Sequence, residues 1–169
     1  DLNYVHNGPG RRHRNPIEMS QMAPFVDAAT ANDEANFANT FTSYYPYGAV
    51  LGMSLDLQLR QRGNTLDEYM RLVWQQYGRP EIPYHIQDLE TALAQLSRDA
   101  RWASEWFNQY VYGSALPDLP ILLRQFGLQL TLANPDSVAF AGLYVRPLEE
   151  KGLQVRSKVL ENSVLYSSG

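Results

Sequence analysis

The chain has 169 residues, 44% of them hydrophobic and 12% aromatic, and no cysteine. This is enough for one core of ordinary size, and it excludes global disorder, disulfides, thiolate metal sites and cysteine nucleophiles. A net charge of -4 and a pI near 5.3 argue against nucleic acid as a partner, and no apolar run reaches the roughly 18 residues of a membrane helix.

The opening "DLNYVHNGPG" lacks a signal-peptide pattern, so no compartment is assigned and the chain is expected to be a piece of a longer protein. The first predicted helix runs from Pro16 to Ala29. Asn15 stands at its cap, Pro16 at its first position and Glu18 where a capping box places an acid. "TANDEANFANTFTS" has no period and reads as an irregular loop. A second helix is predicted from Pro46 to Arg62, stopped by Gly63. Its start, "YGAVLGM", is free of charge and should be buried nearly all round. Gly48 and Gly52, one turn apart, would let another backbone approach.

Thr65 and Glu68 repeat the capping box. Behind them Leu66, Tyr69, Met70, Val73, Trp74 and Tyr77 form an apolar stripe closed by Gly78. Ile86, Leu89, Leu93 and Leu96 predict a fourth helix. Trp102, Ala103, Trp106, Phe107, Tyr110 and Val111 predict a fifth, ended by Gly113. Leu119, Leu122, Leu123 and Phe126 predict a sixth, ended by Gly127. The period then changes: "LQLTLA" and "GLQVRSKVL" alternate, and "AFAGLYV" reads as a buried strand. The expected fold is mainly α, a helical body over residues 1–127 followed by a β segment over 128–169. About 40 β residues do not form an independent domain in water. They should pack on the helices or exchange strands with a second copy, as a homodimer through the β tail.

Candidate chemistry is sparse. His6, His13 and His85 show no HExxH or other ligand pairing, and His13 with Glu18 is the nearest to one. No nucleophile elbow or phosphate-binding glycine loop is present. Glu149 and Glu150 read as a charged hairpin tip. What remains is "SYYPYG", with three phenols and a proline at a helix start. Such a phenol can donate to a developing oxyanion, or Tyr44, Tyr45 and Tyr47 are amphipathic core aromatics. On residues alone the second reading is the simpler one.

Several motifs in order add a resemblance. "PGRR", "YYPYGAVLGMSLDLQLR", "TLDEYMRLVW" and "YVYGSALPDLPILLRQFGL" resemble "pGR", "YYxKGa…LDlxlR", "sLDdvmrxlw" and "yvxGxxxlpxxxlLxxxGl" of the glycyl aminopeptidase family of gluzincin metallopeptidases. The likeness covers roughly residues 8 to 128. It implies the helical C-terminal subdomain of a thermolysin-like catalytic domain. "FAGLYV", "GLQVRSKVL" and "ENSVLYSSG" are similar to the start of that family's PDZ domain. The resemblance further implies a parent that is a zinc enzyme cutting peptide substrates after small N-terminal residues. Its HExxH and third zinc ligand would precede the "PGRR" segment, so this chain is expected to bind no zinc and to be inactive alone.

Tyr45 matches the family's oxyanion-stabilising tyrosine and Gly48 its glycine. Tyr47 stands where the family has lysine, which leaves any lysine-dependent role without a residue. Tyr44, Tyr47 and Arg11 are the implied substrate-side neighbours. The alternative is a non-catalytic peptide-binding or assembly module built from the same helical layer and PDZ-like strands.

Overall fold

A computed structural model describes residues 2–28, 36–131, 145–147, 152–155 and 159–168. The fold is mainly α with a short β segment. In chain order the helices are α1 (Leu2–Asn7), α2 (Pro16–Gln21), α3 (Phe37–Thr40), α4 (Tyr44–Gln61), α5 (Leu66–Val73), α6 (Ile86–Ser97), α7 (Ala100–Tyr110), α8 (Leu119–Arg124) and α9 (Val164–Ser168). A 3-10 turn, Pro9–Arg12, follows α1, and π-turns at Pro24–Ala28 and Trp74–Gly78 follow α2 and α5. Strands β1 (Val145–Pro147) and β2 (Leu153–Val155) pair antiparallel, with Arg146 opposite Gln154.

α4 is the centre. It touches α1, α2, α5 and α8, while α5, α6 and α7 pack in succession. Val50, Leu51, Leu55 and Leu59 of α4 are buried with Met19, Leu93, Ala103, Trp106, Phe107 and Leu122 in one core. The local signals act as physical chemistry requires. Both capping boxes form: the Glu18 and Glu68 amides donate to Asn15 Oδ1 and Thr65 Oγ1, and the acids accept from the Asn15 and Thr65 amides. Gly63 and Gly127 adopt the left-handed φ of 78° and 76° after their helices.

The structure also corrects several expectations. The first helix ends at Gln21 rather than Ala29, because Pro24 removes an amide and crowds the carbonyl four residues back. The α5 stripe divides: Tyr69 is buried, whereas Met70 and Trp74 are 57% and 61% exposed. A side chain on Gly48 or Gly52 would meet nothing within 4 Å, whereas one on Gly10 would stand 2.6 Å from the Phe41 backbone. The close backbone approach therefore belongs to the "PGRR" turn and not to α4. Residues 128–131 of "LQLTLA" form no strand, and Leu128 and Leu130 are exposed. Most of "AFAGLYV", with Glu149 and Glu150, lies outside the described residues.

The C-terminal segment is tied to the helical body. Asn39 Nδ2 donates to the Val159 carbonyl at 2.9 Å, and the Glu161 amide donates to Asn39 Oδ1 at 2.8 Å. The side-chain amide thus satisfies one backbone acceptor and one donor, as a neighbouring strand would. His13 Nε2 lies 2.9 Å from Glu161 Oε2.

The glycines provide a test by urea denaturation. Gly48→Ala and Gly52→Ala each gain about 0.5–1 kcal/mol, because alanine costs less backbone entropy in a helix and nothing obstructs its methyl. Gly10→Ala loses about 1–3 kcal/mol through overlap with the Phe41 backbone.

Candidate functional site at the start of α4

α4 starts without a capping side chain. Ser43 makes no side-chain cap bond, and its amide donates instead to the Tyr4 hydroxyl at 3.0 Å. The amides of Tyr44 and Tyr45 make no hydrogen bond among the described residues, Pro46 has no amide hydrogen, and the first turn carries no acid. Among the described residues no side chain caps the N-terminus of this 18-residue helix, and its positive end suits developing negative charge.

The three phenols of "SYYPYG" part company here. Tyr47 is fully buried. At about 100° per residue, burying Tyr47 turns Tyr45 roughly 200° away, to the outside. Tyr45 is 70% exposed, with its ring 4.7 Å from that of Tyr44. Tyr44 lies between the two directions and is half-buried. Its hydroxyl donates to the Asp27 carboxylate. That bond and then desolvation hold the Tyr44 phenol far above its ordinary pKa.

Tyr47 feels the charge of Arg11. Burial pushes the Tyr47 pKa up and the Arg11 charge draws it down. Arg11 itself binds three backbone carbonyls from two segments. Its Nε donates to the Val5 carbonyl at 3.1 Å, Nη2 to His6 at 3.3 Å and Nη1 to Ser114 at 3.5 Å. Of the four residues named from the sequence, Tyr45 and Tyr44 are thus at the surface, Tyr47 is in the core, and Arg11 holds α1 to the loop before α8.

Two participants were not legible. Asp27 lies 17 residues before Tyr44, and Tyr4 lies 39 before Ser43. Neither separation leaves a periodic signal. His13 and Glu18, the nearest approach to a ligand pair, are engaged separately with Glu161 and Asn15. Among the described residues no three His, Asp or Glu side chains come together in a metal-binding group.

Comparison of the chain with protein-family models, with curated proteins and with solved structures found no match.

Two outcomes follow from the phenols. The Tyr47 hydroxyl has no hydrogen-bond partner among the described residues, and an unsatisfied buried hydroxyl costs about 1–3 kcal/mol. Tyr47→Phe is therefore expected to leave urea stability unchanged or raise it by up to about 1 kcal/mol. Burial also raises the pKa of Tyr69, Tyr110 and Tyr112 above the ordinary 10.0 for tyrosine. Above that pH the unfolded chain releases protons that the folded chain retains, so stability is full below it and falls as pH rises past it. Urea midpoints measured from about pH 9 to 11 should decline, and Tyr69→Phe should flatten the slope.

Proposed function

We propose that this chain is the helical wall of a zinc aminopeptidase that removes small N-terminal residues, with Tyr45 as the donor to the oxyanion of the tetrahedral intermediate. The observation that carries the reading is the exposed Tyr45 phenol at the uncapped, positive start of α4, at the position the family resemblance assigns to its oxyanion tyrosine. The ordered motifs over residues 8 to 128 support it. So does the exposure of Met70, Trp74, Ile82, Tyr84 and Ile121, large apolar side chains of the kind that one half of a domain covers on the other.

In this reading the zinc ligands and general base belong to a preceding segment of the parent, and this chain's residues hold no metal. Their part is electrostatic. The Tyr45 O–H and the free first-turn amides offer fixed dipoles where negative charge develops on the carbonyl oxygen. Tyr44, held by Asp27, fixes the neighbouring ring. Tyr47 and Arg11 shape the wall from beneath, and the segment beginning near 128 is the start of a PDZ domain.

The test is kinetic, on the parent protein with its preceding segment. Tyr45→Phe keeps the ring and should lower kcat about 100- to 1,000-fold with KM nearly unchanged. Gly48→Ala should stabilise the isolated chain yet impair the parent if the opposite wall closes on α4. Full turnover by Tyr45→Phe overturns the assignment. A parent with no HExxH and no peptidase activity supports the peptide-binding or assembly module instead.

A further inference from the structure

A recess lies away from the α4 start, beside α5, where α4 and α6 end and α7 begins. It is an open depression of about 550 Å³ lined by Arg62, Arg71 and Arg98, with Gln75, Gln95 and Ser97 among its other walls. A volume of this order suits a small-molecule ligand. Its one acid, Glu68, is committed to the α5 cap, where it accepts from the Thr65 amide at 2.7 Å and the Thr65 hydroxyl at 3.1 Å. Among the described residues none of the three arginines forms an ion pair. The recess is therefore positive in a chain whose net charge is -4.

Two details set these arginines apart from ordinary surface cations. The Arg62 guanidinium lies 4.1 Å from the centroid of the Trp102 ring. Stacking on the indole fixes the plane of the fork and leaves its N–H edge free for an oxyanion. Arg98 ends α6 in the left-handed conformation, φ 56°. α4 makes the equivalent turn with Gly63, which adopts it without the cost a side chain incurs. Basic residues also complement helix C-termini. That effect places a cation at each end, but it requires neither a strained backbone nor a stacked fork.

The geometry points to a binding site for a dianionic phosphate group, free or carried by a small molecule, held by Arg62, Arg71 and Arg98. Three guanidinium forks exceed what one carboxylate can accept, whereas the oxygens of a phosphate or phosphomonoester match them. The Gln95 side chain accepts from Gln76 at 2.8 Å, which leaves its own amide hydrogens as further donors. This site is independent of the α4 tyrosines and stands whether or not the chain belongs to a peptidase.

The experiment titrates the full 169-residue chain with inorganic phosphate and, separately, with glycerol phosphate, following melting temperature and the arginine Nε–H signals by NMR. Sodium chloride at matched ionic strength and succinate are the controls. Saturable stabilisation by either phosphate, with shifts at Arg62, Arg71 and Arg98, is the expected result. The tighter of the two identifies the source. Arg98→Gly relieves the strained turn, so it should melt higher than the parent chain without ligand yet bind phosphate at least about tenfold more weakly. Arg71→Gln should weaken binding similarly with little change in melting. A response no greater than that to chloride, or unchanged binding by both variants, overturns the proposal.

Discussion

The burial of Tyr47 at the first turn of α4 governs much of what surrounds it. α4 enters the core through a stretch without charge, and its first fully buried side chain is this tyrosine. Once that ring points inward, helical geometry leaves Tyr45 outside and Tyr44 on the flank. The loops before α4 then follow. Phe41 is buried and receives the Gly10 backbone in close contact, and Tyr4 meets the Ser43 amide. Arg11 ties α1 to the chain before α8 beside the same phenol. A leucine at 47 would fill the core more simply, with no hydroxyl to leave unsatisfied.

Much of the fold was legible because its signals are local. A capping box needs only residues three apart, so Asn15 with Glu18 and Thr65 with Glu68 located two helix starts. Glycine after an apolar period located the ends of α4 and α8. The end of α2 was misread although Pro24 marks it locally, and the other misreadings share one cause, dependence on distant partners. Apolar period marked Met70 and Trp74 with Tyr69, but the neighbouring helices cover only one side of α5. Helical glycines marked α4 as a place of close approach, whereas the contact forms in the Pro9–Arg12 turn against Phe41. Alternation in "LQLTLA" promised a strand, yet residues 128–131 form none, since a strand exists only where a partner edge satisfies its amides.

The candidate site was legible in part. The crowding of phenols before a helix marked the place, and the resemblance singled out Tyr45. Period alone did not say which ring faces inward, since all three are amphipathic. The supporting partners Asp27 and Tyr4 left no trace in the spacing. The arginine recess was invisible for a different reason. Arg62, Arg71 and Arg98 sit at the ends of three helices, where each alone reads as a charge opposing the carbonyl dipole. Only their convergence, and a left-handed turn made by arginine, set them apart.

The central claim is that the Tyr45 phenol faces the reacting carbonyl of a peptide across a cleft completed by another part of the parent protein. A crystal structure of that parent bound to a phosphinic peptide, whose tetrahedral phosphorus mimics the attacked carbonyl, measures this directly. The account predicts the Tyr45 hydroxyl within about 2.5–3.0 Å of a phosphinyl oxygen, with the start of α4 lining the cleft. A Tyr45 side chain turned to bulk solvent on a face remote from the inhibitor contradicts it.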